Sequence, residues 1–560
     1  MKRFFVSIFF LSITLIPSSA AAFSIGDSQI FNVESTFDLT QRDQLTASLK
    51  KTTNQAYFYF DNAWWSQLRS EQQIQVTNSL NNLGEEFDGK IYPVLTQAFG
   101  DVWNPGIDKD TRITILFHPM KEASGGYFNS ADEYTKAQIP KSNEREMLYL
   151  NANQATSPLL RAFLAHEFQH LISFNQKERL KGVTEDVWLN EARSEYAATL
   201  LGYDSPYEGS NLERRVRNFL DKPYDSLTEW KNQSADYGVT NLFIQYLVDH
   251  YGVDVLKESM FSSKTGIDSL NEVLKKLGFT ESFSEIFTNW TVASFVNDCN
   301  LDVRYCYLNE SLRSFRIVPQ ANFLPPVTQT SLSVVNTTKE WSGNWYKFFG
   351  AKGNLTLEFN GNSATASFKI PYLLEGKDGK TNVDFMSLDG LSRGRLTVKD
   401  FDKNYFTLII IPSLRGKSSN FSSLEPTVQF SWTASAGENV GTPSENPAEI
   451  EALLNKIAEL KQEIARLQQL LSGLKPTPSF SCSSFPLNLY YGLTGSPEVR
   501  CLQEFLKSRG EGIYPEKLVT GSYLSLTVQA VKRYQAQKGI VPTGYFGPKT
   551  RAAANLDISK

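Results

Sequence analysis

Histidine and cysteine are both rare in this chain, with four of each among 560 residues. The cysteines fall as two close pairs, Cys299 with Cys306 and Cys482 with Cys501, and neither spacing matches the short Cys-x2-Cys knuckle of a structural metal site. In an oxidising compartment each pair would close a local disulfide within its own domain, the alternative being buried free thiols. An excess of one charge is also missing: 56 Lys and Arg against 60 Asp and Glu leave a formal net charge of -4. With no basic stripe to neutralise phosphates, nucleic acid is excluded as the main partner. After the N-terminal segment no apolar run approaches the roughly 20 residues of a bilayer span, so no transmembrane anchor is expected once that segment is removed.

The first residues, Met1-Lys2-Arg3, are followed by an apolar run from Phe4 to Pro17 and by Ser18-Ser-Ala-Ala-Ala22. This is the order of an export signal, with cleavage after Ala22 and an extracellular destination; an uncleaved anchor is the alternative. The length exceeds what one core organises, and 41% hydrophobic residues can fill several.

Residues 23–317 alternate strand-like runs, such as Ala56 to Phe60 and Arg112 to Phe117, with helical stretches such as Glu71 to Leu83, an α+β pattern. Residues 318–436 change to short alternating runs, among them Leu355 to Phe359, Ala366 to Ile370, Tyr405 to Ile411 and Val428 to Trp432, for which a β-sandwich is the natural packing. A Gly, Pro and Ser-rich linker is expected at 437–447 and another at 475–484. Between them, residues 448–474 carry a heptad with mostly Ile at a and Leu at d (Ile450, Leu453, Ile457, Leu460, Ile464, Leu467, Leu471, Leu474). Such a heptad favours a parallel two-stranded coiled coil, hence a homodimer through 450–474, with a single spacer helix as the alternative. Residues 485–560 read as a small all-α bundle with glycine turns between short helices.

One run carries chemistry. Ala165-His166-Glu167-Phe168-Gln169-His170 lies inside an apolar helical pattern from Leu159 to Phe174, unbroken by Gly or Pro. Positions i and i+4 share one helix face, so both imidazoles can reach one zinc ion at about 2.0–2.1 Å. Glu167 projects beside them, where it can take a proton from the water that zinc activates and pass it to a leaving amine. A second helical pattern downstream, Trp188-Leu-Asn-Glu-Ala-Arg-Ser-Glu-Tyr-Ala197, offers Glu191 as the third ligand. Asn190 and Glu195 are expected to stand behind the ligands, Glu195 by orienting His166 through its other ring nitrogen. Tyr237, just before another helix, is the preferred oxyanion donor; His250, at a helix end, reads as a surface or capping residue and His118 as structural. Asp101, Asp108 and Asp110 flank a Gly and Pro-containing turn that could hold a structural Ca2+, although the spacing is not that of an EF-hand and a solvated loop is the other reading.

His166-Glu-Phe-Gln-His170 followed by Asn190-Glu-Ala-Arg-Ser-Glu195 resembles the thermolysin-like zinc metallopeptidases, the gluzincins, and within them most resembles the hyicolysin family of secreted bacterial enzymes. The resemblance spans roughly residues 30 to 300 and implies a zincin-type catalytic domain at 23–317 that cuts protein or peptide substrates. It also implies an edge strand antiparallel to bound peptide, a role that Met147 to Asn151 suits. The chain departs from thermolysin in lacking a clear downstream oxyanion histidine. In the C-terminal module, Leu489-Tyr-Tyr-Gly-Leu-Thr-Gly495, Val499 to Leu506, Thr527 to Gln535 and Thr543 to Thr550 are similar to peptidoglycan-binding repeats, which implies attachment to the cell wall. Two rivals remain open: a hydrolase of peptidoglycan crosslinks, and a non-enzymatic surface adhesin or scaffold with a silenced site.

Overall fold

The computed structural model describes residues 23–121, 124–362, 367–416, 427–437 and most of 484–558. The expected signal peptide, the coiled coil, nearly all of both linkers and Cys482 lie outside the described residues. The chain divides into two compact units, Met1–Val440 and Gly441–Lys560. No helix among the described residues is long and apolar enough to cross a membrane.

The first unit opens on six strands: β1 (Ser28–Asn32), β2 (Gln44–Thr52), β3 (Ala56–Asp61), β4 (Ile113–His118), β5 (Gly126–Phe128) and β6 (Met147–Asn151). They form one mixed sheet in the order β1-β2-β3-β4-β6-β5, with β3, β4 and β6 parallel and β5 antiparallel at the edge. Alternation sorts the side chains. Phe58, Phe60, Ile115, Phe117, Leu148 and Leu150 face the helices, whereas Tyr57, Tyr59, Leu116 and Tyr149 join Leu45, Ala47 and Tyr127 in a second cluster. Met147–Asn151 is therefore an interior strand, paired on both sides, and the edge is Gly126–Phe128. This corrects the expectation from sequence. A run buried at every position is what a strand with two neighbours shows.

Among the described residues up to 317, the α-helices of this unit are α1 (Asn62–Gln67), α2 (Ser70–Glu86), α3 (Tyr92–Phe99), α4 (Leu160–Ser173), α5 (Val187–Leu200), α6 (Asn211–Asp221), α7 (Ser234–Tyr251), α8 (Asp254–Phe261), α9 (Gly266–Lys276) and α10 (Phe283–Val296). Helix α4 lies against the sheet and is buried nearly all round: Leu160, Leu164, Ala165, Phe168, Leu171 and Ile172 join the core with Val76, Leu80, Leu95 and Phe99 from α2 and α3. Each such Leu or Phe contributes about 1.5–3 kcal/mol by leaving water, so the axis of α4 is fixed by packing rather than by its own propensity. Cys299 and Cys306 form a disulfide after α10.

Within the same unit, strands β8 (Gln329–Thr338), β10 (Asn354–Asn360), β14 (Arg393–Val398) and β17 (Val428–Gly437) form a sheet in the order β14-β10-β17-β8. A second sheet, β13-β12-β15-β9-β7, contains β7 (Gln320–Phe323), β9 (Tyr346–Phe349), β12 (Pro371–Gly376), β13 (Thr381–Phe385) and β15 (Tyr405–Ile410); β11 (Phe368–Lys369) and β16 (Ser413–Leu414) form a short ribbon. Leu355, Leu357, Phe359, Phe430 and Trp432 of the first sheet share one apolar cluster with Tyr346, Phe348, Leu408 and Ile410 of the second. This region is tied to the helical one. Leu227 N donates to Trp341 O at 3.0 Å, Ser226 Oγ to Glu340 O at 2.8 Å, Trp345 Nε1 to Thr291 O at 2.9 Å, and Lys339 pairs with Glu229.

The second unit holds α11 (Pro497–Ser508), α12 (Ser525–Gln537) and α13 (Pro548–Ile558) around Leu502, Leu506, Tyr523, Val531, Tyr534, Phe546 and Ala554. Gln503 and Gln535 each lock a turn, Gln503 Oε1 accepting from Gly521 N and Gln535 Oε1 from Gly544 N, both at 2.8 Å. Cys501 is disulfide-bonded.

Candidate metal centre and cleft

Helices α4 and α5 pack side by side, and that contact brings His166, His170 and Glu191 together: one ligand atom of each lies within 4.8 Å of the other two. The two Nε2 atoms face each other at 3.2 Å, and Glu191 Oε2 sits 3.2 Å from the first and 3.6 Å from the second. Both Nδ1 atoms point outward to partners, His170 to Ser194 Oγ at 3.2 Å and His166 to Glu195 Oε1 at 3.4 Å. Those partners settle ring orientation and leave both Nε2 atoms directed inward. Glu191 Oε2 is buried and has no hydrogen-bond donor. Two imidazole nitrogens and a bare carboxylate oxygen converging on one point form a donor set that fits zinc.

The surrounding charges are ordered by their neighbours. Burial alone would neutralise Glu191, yet His170 and His166 hold its carboxyl well below the usual range. Glu195 is 1% exposed; burial opposes its charge, and Arg215 overcomes this to bring its pKa down to about 2, through Nε at 2.8 Å and a second nitrogen at 2.5 Å. Asn211 and Asn241 also donate to Glu195, at 3.0 and 3.1 Å. Glu167 differs. Burial pushes its pKa up, with His166 and His170 pulling the other way, which moves this carboxyl toward the range of a working base. Tyr237 lies in the first turn of α7 rather than before the helix; its ring is 6.5 Å from that of His166, and its hydroxyl donates to Asn232 Oδ1 at 2.8 Å. Asn190 lines the cleft with its Oδ1 buried and unpartnered.

These residues open onto a cavity of about 620 Å³. One rim is the edge strand β5, and the opposite wall comes from α6 and the loop before α7, with Trp230 stacked edge-on against Tyr237 at 4.8 Å. A Cβ on Gly126 would lie 2.6 Å from Tyr149 O and 2.9 Å from Glu167 Cγ, so only glycine allows the edge strand so close to α4. The other two histidines stay away from the cleft: His118 meets Asp38 at 3.1 Å in the core, and His250 Nε2 meets Cys306 O at 2.9 Å.

Sequence reasoning missed Arg214, Arg215, Asn211 and Asn218. Their spacing along α6 puts four polar groups on one helix face, a signal available in the sequence once the cleft is known to lie there. Asp101, Asp108 and Asp110, read from the sequence as a calcium site or a solvated loop, lie in the loop before β4. Among the described residues these three do not form a metal-holding group; Asp108 Oδ1 accepts from Asp110 N at 2.9 Å, and Asp110 accepts from the Tyr57 hydroxyl at 2.9 Å.

Comparison with known proteins adds three findings. Neutral metalloprotease ShpI of Staphylococcus hyicus is 30% identical over 238 residues, covering 38% of this chain and 52% of that protein. The chain thus spans about half the length of this curated relative. Among solved structures, a mitogen from Yersinia pseudotuberculosis (12% identity, 20% of this chain, 92% of the other, TM-score 0.14) and the pre-peptidase C-terminal domain of a Bacillus anthracis collagenase (12% identity, 21% and 96%, TM-score 0.14) are similar only at a level that carries no argument about the fold. The model of the putative peptidoglycan binding domain matches residues 495–554, which lie in the second unit. The chain is a distant homologue of neutral metalloprotease ShpI, with a putative peptidoglycan binding domain near its C-terminal end.

Proposed function

We propose that the chain is a secreted zinc-dependent endopeptidase, with its catalytic domain at 23–317, held at the bacterial cell wall by its C-terminal module. The observation that carries this reading is the inward convergence of His166 Nε2, His170 Nε2 and the unpartnered Glu191 Oε2, with each imidazole held through its other ring nitrogen by Glu195 or Ser194. Bound there, zinc would polarise a peptide carbonyl and lower the pKa of a water molecule toward about 7.

The remaining steps belong to the protein. Glu167, beside both imidazoles and raised in pKa by burial, takes the proton from the attacking water and returns it to the leaving amine. Tyr237, kept protonated by burial and by the nearby Glu191, gives its hydroxyl to the developing oxyanion. Glu195, clamped by Arg215, positions His166, and Ser194 positions His170. Edge strand β5 offers backbone groups to an extended substrate segment.

Glu167→Gln is expected to retain bound zinc while hydrolysis of an unfolded protein substrate falls by about 10²–10⁴-fold. Wild-type turnover in that variant, with its metal content measured alongside, overturns the assignment. The match of residues 495–554 to a peptidoglycan binding domain favours a second reading, hydrolysis of wall peptide crosslinks. Release of muropeptides from purified walls, with no cleavage of protein, would select it.

A further inference from the structure

Helix α6 presents Asn211, Arg214, Arg215 and Asn218 to the cleft, positions that share one face at i, i+3, i+4 and i+7. The two arginines are held very differently. Arg215 has a buried carboxylate in two-point contact, Glu195, and its guanidinium lies over the Tyr237 ring at 4.4 Å. Arg214 has only a neutral partner, donating to Asn211 Oδ1 at 2.7 Å, with its guanidinium 5.5 Å from the Phe163 ring centre and its Nε buried without an acceptor. Glu195 already serves Arg215, His166 and two asparagines, so its charge is spoken for. Among the described residues no carboxylate lies within the 4.0 Å ion-pair range of Arg214. Burial and the adjacent Arg215 bring its pKa down to about 10, which still leaves it charged at neutral pH.

A half-buried guanidinium whose Nε is hidden without an acceptor, on the wall of a substrate cleft, is incomplete without an anion, because an unmet buried donor is costly and a planar fork fits a carboxylate best. We propose that Arg214 forms a carboxylate subsite of the cleft, which selects peptides carrying an acidic side chain or a chain-terminal carboxylate at one fixed position from the bond that is cut. The proposal rests on the peptidase reading and names its substrate class.

The test uses the full chain loaded with zinc and end-blocked fluorogenic peptides that differ only in Glu or Gln at each position in turn, plus a neutral set with free or amidated C-termini. The expected result is one position where kcat/KM for Glu exceeds that for Gln by about tenfold to a hundredfold, the range of a charge-assisted hydrogen bond. A preference for the free C-terminus instead identifies the terminal carboxylate as the source. Arg214→Gln should collapse that ratio to near one, and Arg214→Glu should invert it in favour of Gln. Equal cleavage of every Glu and Gln pair, and of free and amidated ends, by the wild-type protein overturns the proposal without any variant. Fluorescence anisotropy of the same peptides on zinc-loaded Glu167→Gln separates the two claims. Arg214-dependent binding of acidic peptides with no turnover by wild type keeps the subsite and removes the peptidase; turnover with no acidic preference does the reverse.

Discussion

Two groups of carboxylates are buried within the first unit, and they have opposite fates. In the cleft, Glu191 and Glu195 meet two histidines and Arg215 and remain ionised. Between β5 and β6, Asp132, Glu133 and Glu146 are hidden as deeply as Glu195, at 0%, 3% and 2% exposure, but Arg145 acts on Asp132 only after burial and its hydrogen bonds, and neither oxygen of Glu133 has a partner. There burial wins: the pKa of Asp132 rises to about 6, that of Glu146 to about 7, and that of Glu133 well above the ordinary carboxyl value. The difference teaches that depth does not decide whether an acid stays charged; the neighbouring cation does. An anionic cluster is one that can take up a dication.

The sharpest way to break this contrast is to remove the carboxylate that answers Arg215. Glu195→Ala leaves a buried guanidinium without its counter-ion and should cost about 3–5 kcal/mol of stability, read from the urea midpoint of tryptophan fluorescence. A loss below about 1 kcal/mol would mean that the pair is not the restraint its geometry implies.

The other group should show its state in a pH profile. Because Glu146 has a folded pKa of about 7, above the ordinary 4.5, the folded chain holds its proton more tightly than the unfolded chain does. This contribution to stability is therefore complete below about pH 4.5, is lost as pH rises toward 7, and levels off beyond, a change on the order of 3 kcal/mol. Glu146→Gln should flatten the slope between pH 5 and 7.5, and an unchanged slope would place the titration elsewhere. The smallest effect is expected at Ser194, whose hydroxyl meets His170 Nδ1. Ser194→Ala should weaken zinc binding by about 10–100-fold in competition with a chromophoric chelator, and unaltered affinity would remove Ser194 from the ring-orienting set.

What the sequence disclosed follows the range of its signals. Helices α4 and α5 and the grouping of His166, His170 and Glu191 were legible because helical spacing is a local rule, and with so few histidines a pair at i and i+4 stands out. The place of Glu195 at His166 Nδ1 followed from the same rule, one turn beyond Glu191. Arg214 and Arg215 were not legible: α6 joins the cleft only through tertiary packing, and two arginines on an amphipathic helix look like solvated surface. The edge strand was misassigned for a related reason. Three residues, Gly126 to Phe128, are too few to show alternation, whereas Met147 to Asn151 is conspicuous because it is fully buried.

The junction between the helices and the following sheets has an engineering consequence. Trp230 and Asn232, which shape the cleft wall, sit in a segment whose anchors, Ser226, Leu227 and Glu229, are fastened to Lys339, Glu340 and Trp341. A chain shortened to end at residue 317 would keep every metal-facing side chain and yet lose the buttress of that wall. The sheet region is thus part of the jaw rather than cargo behind it, and grafting a different one onto these helices would retune how tightly the mouth grips.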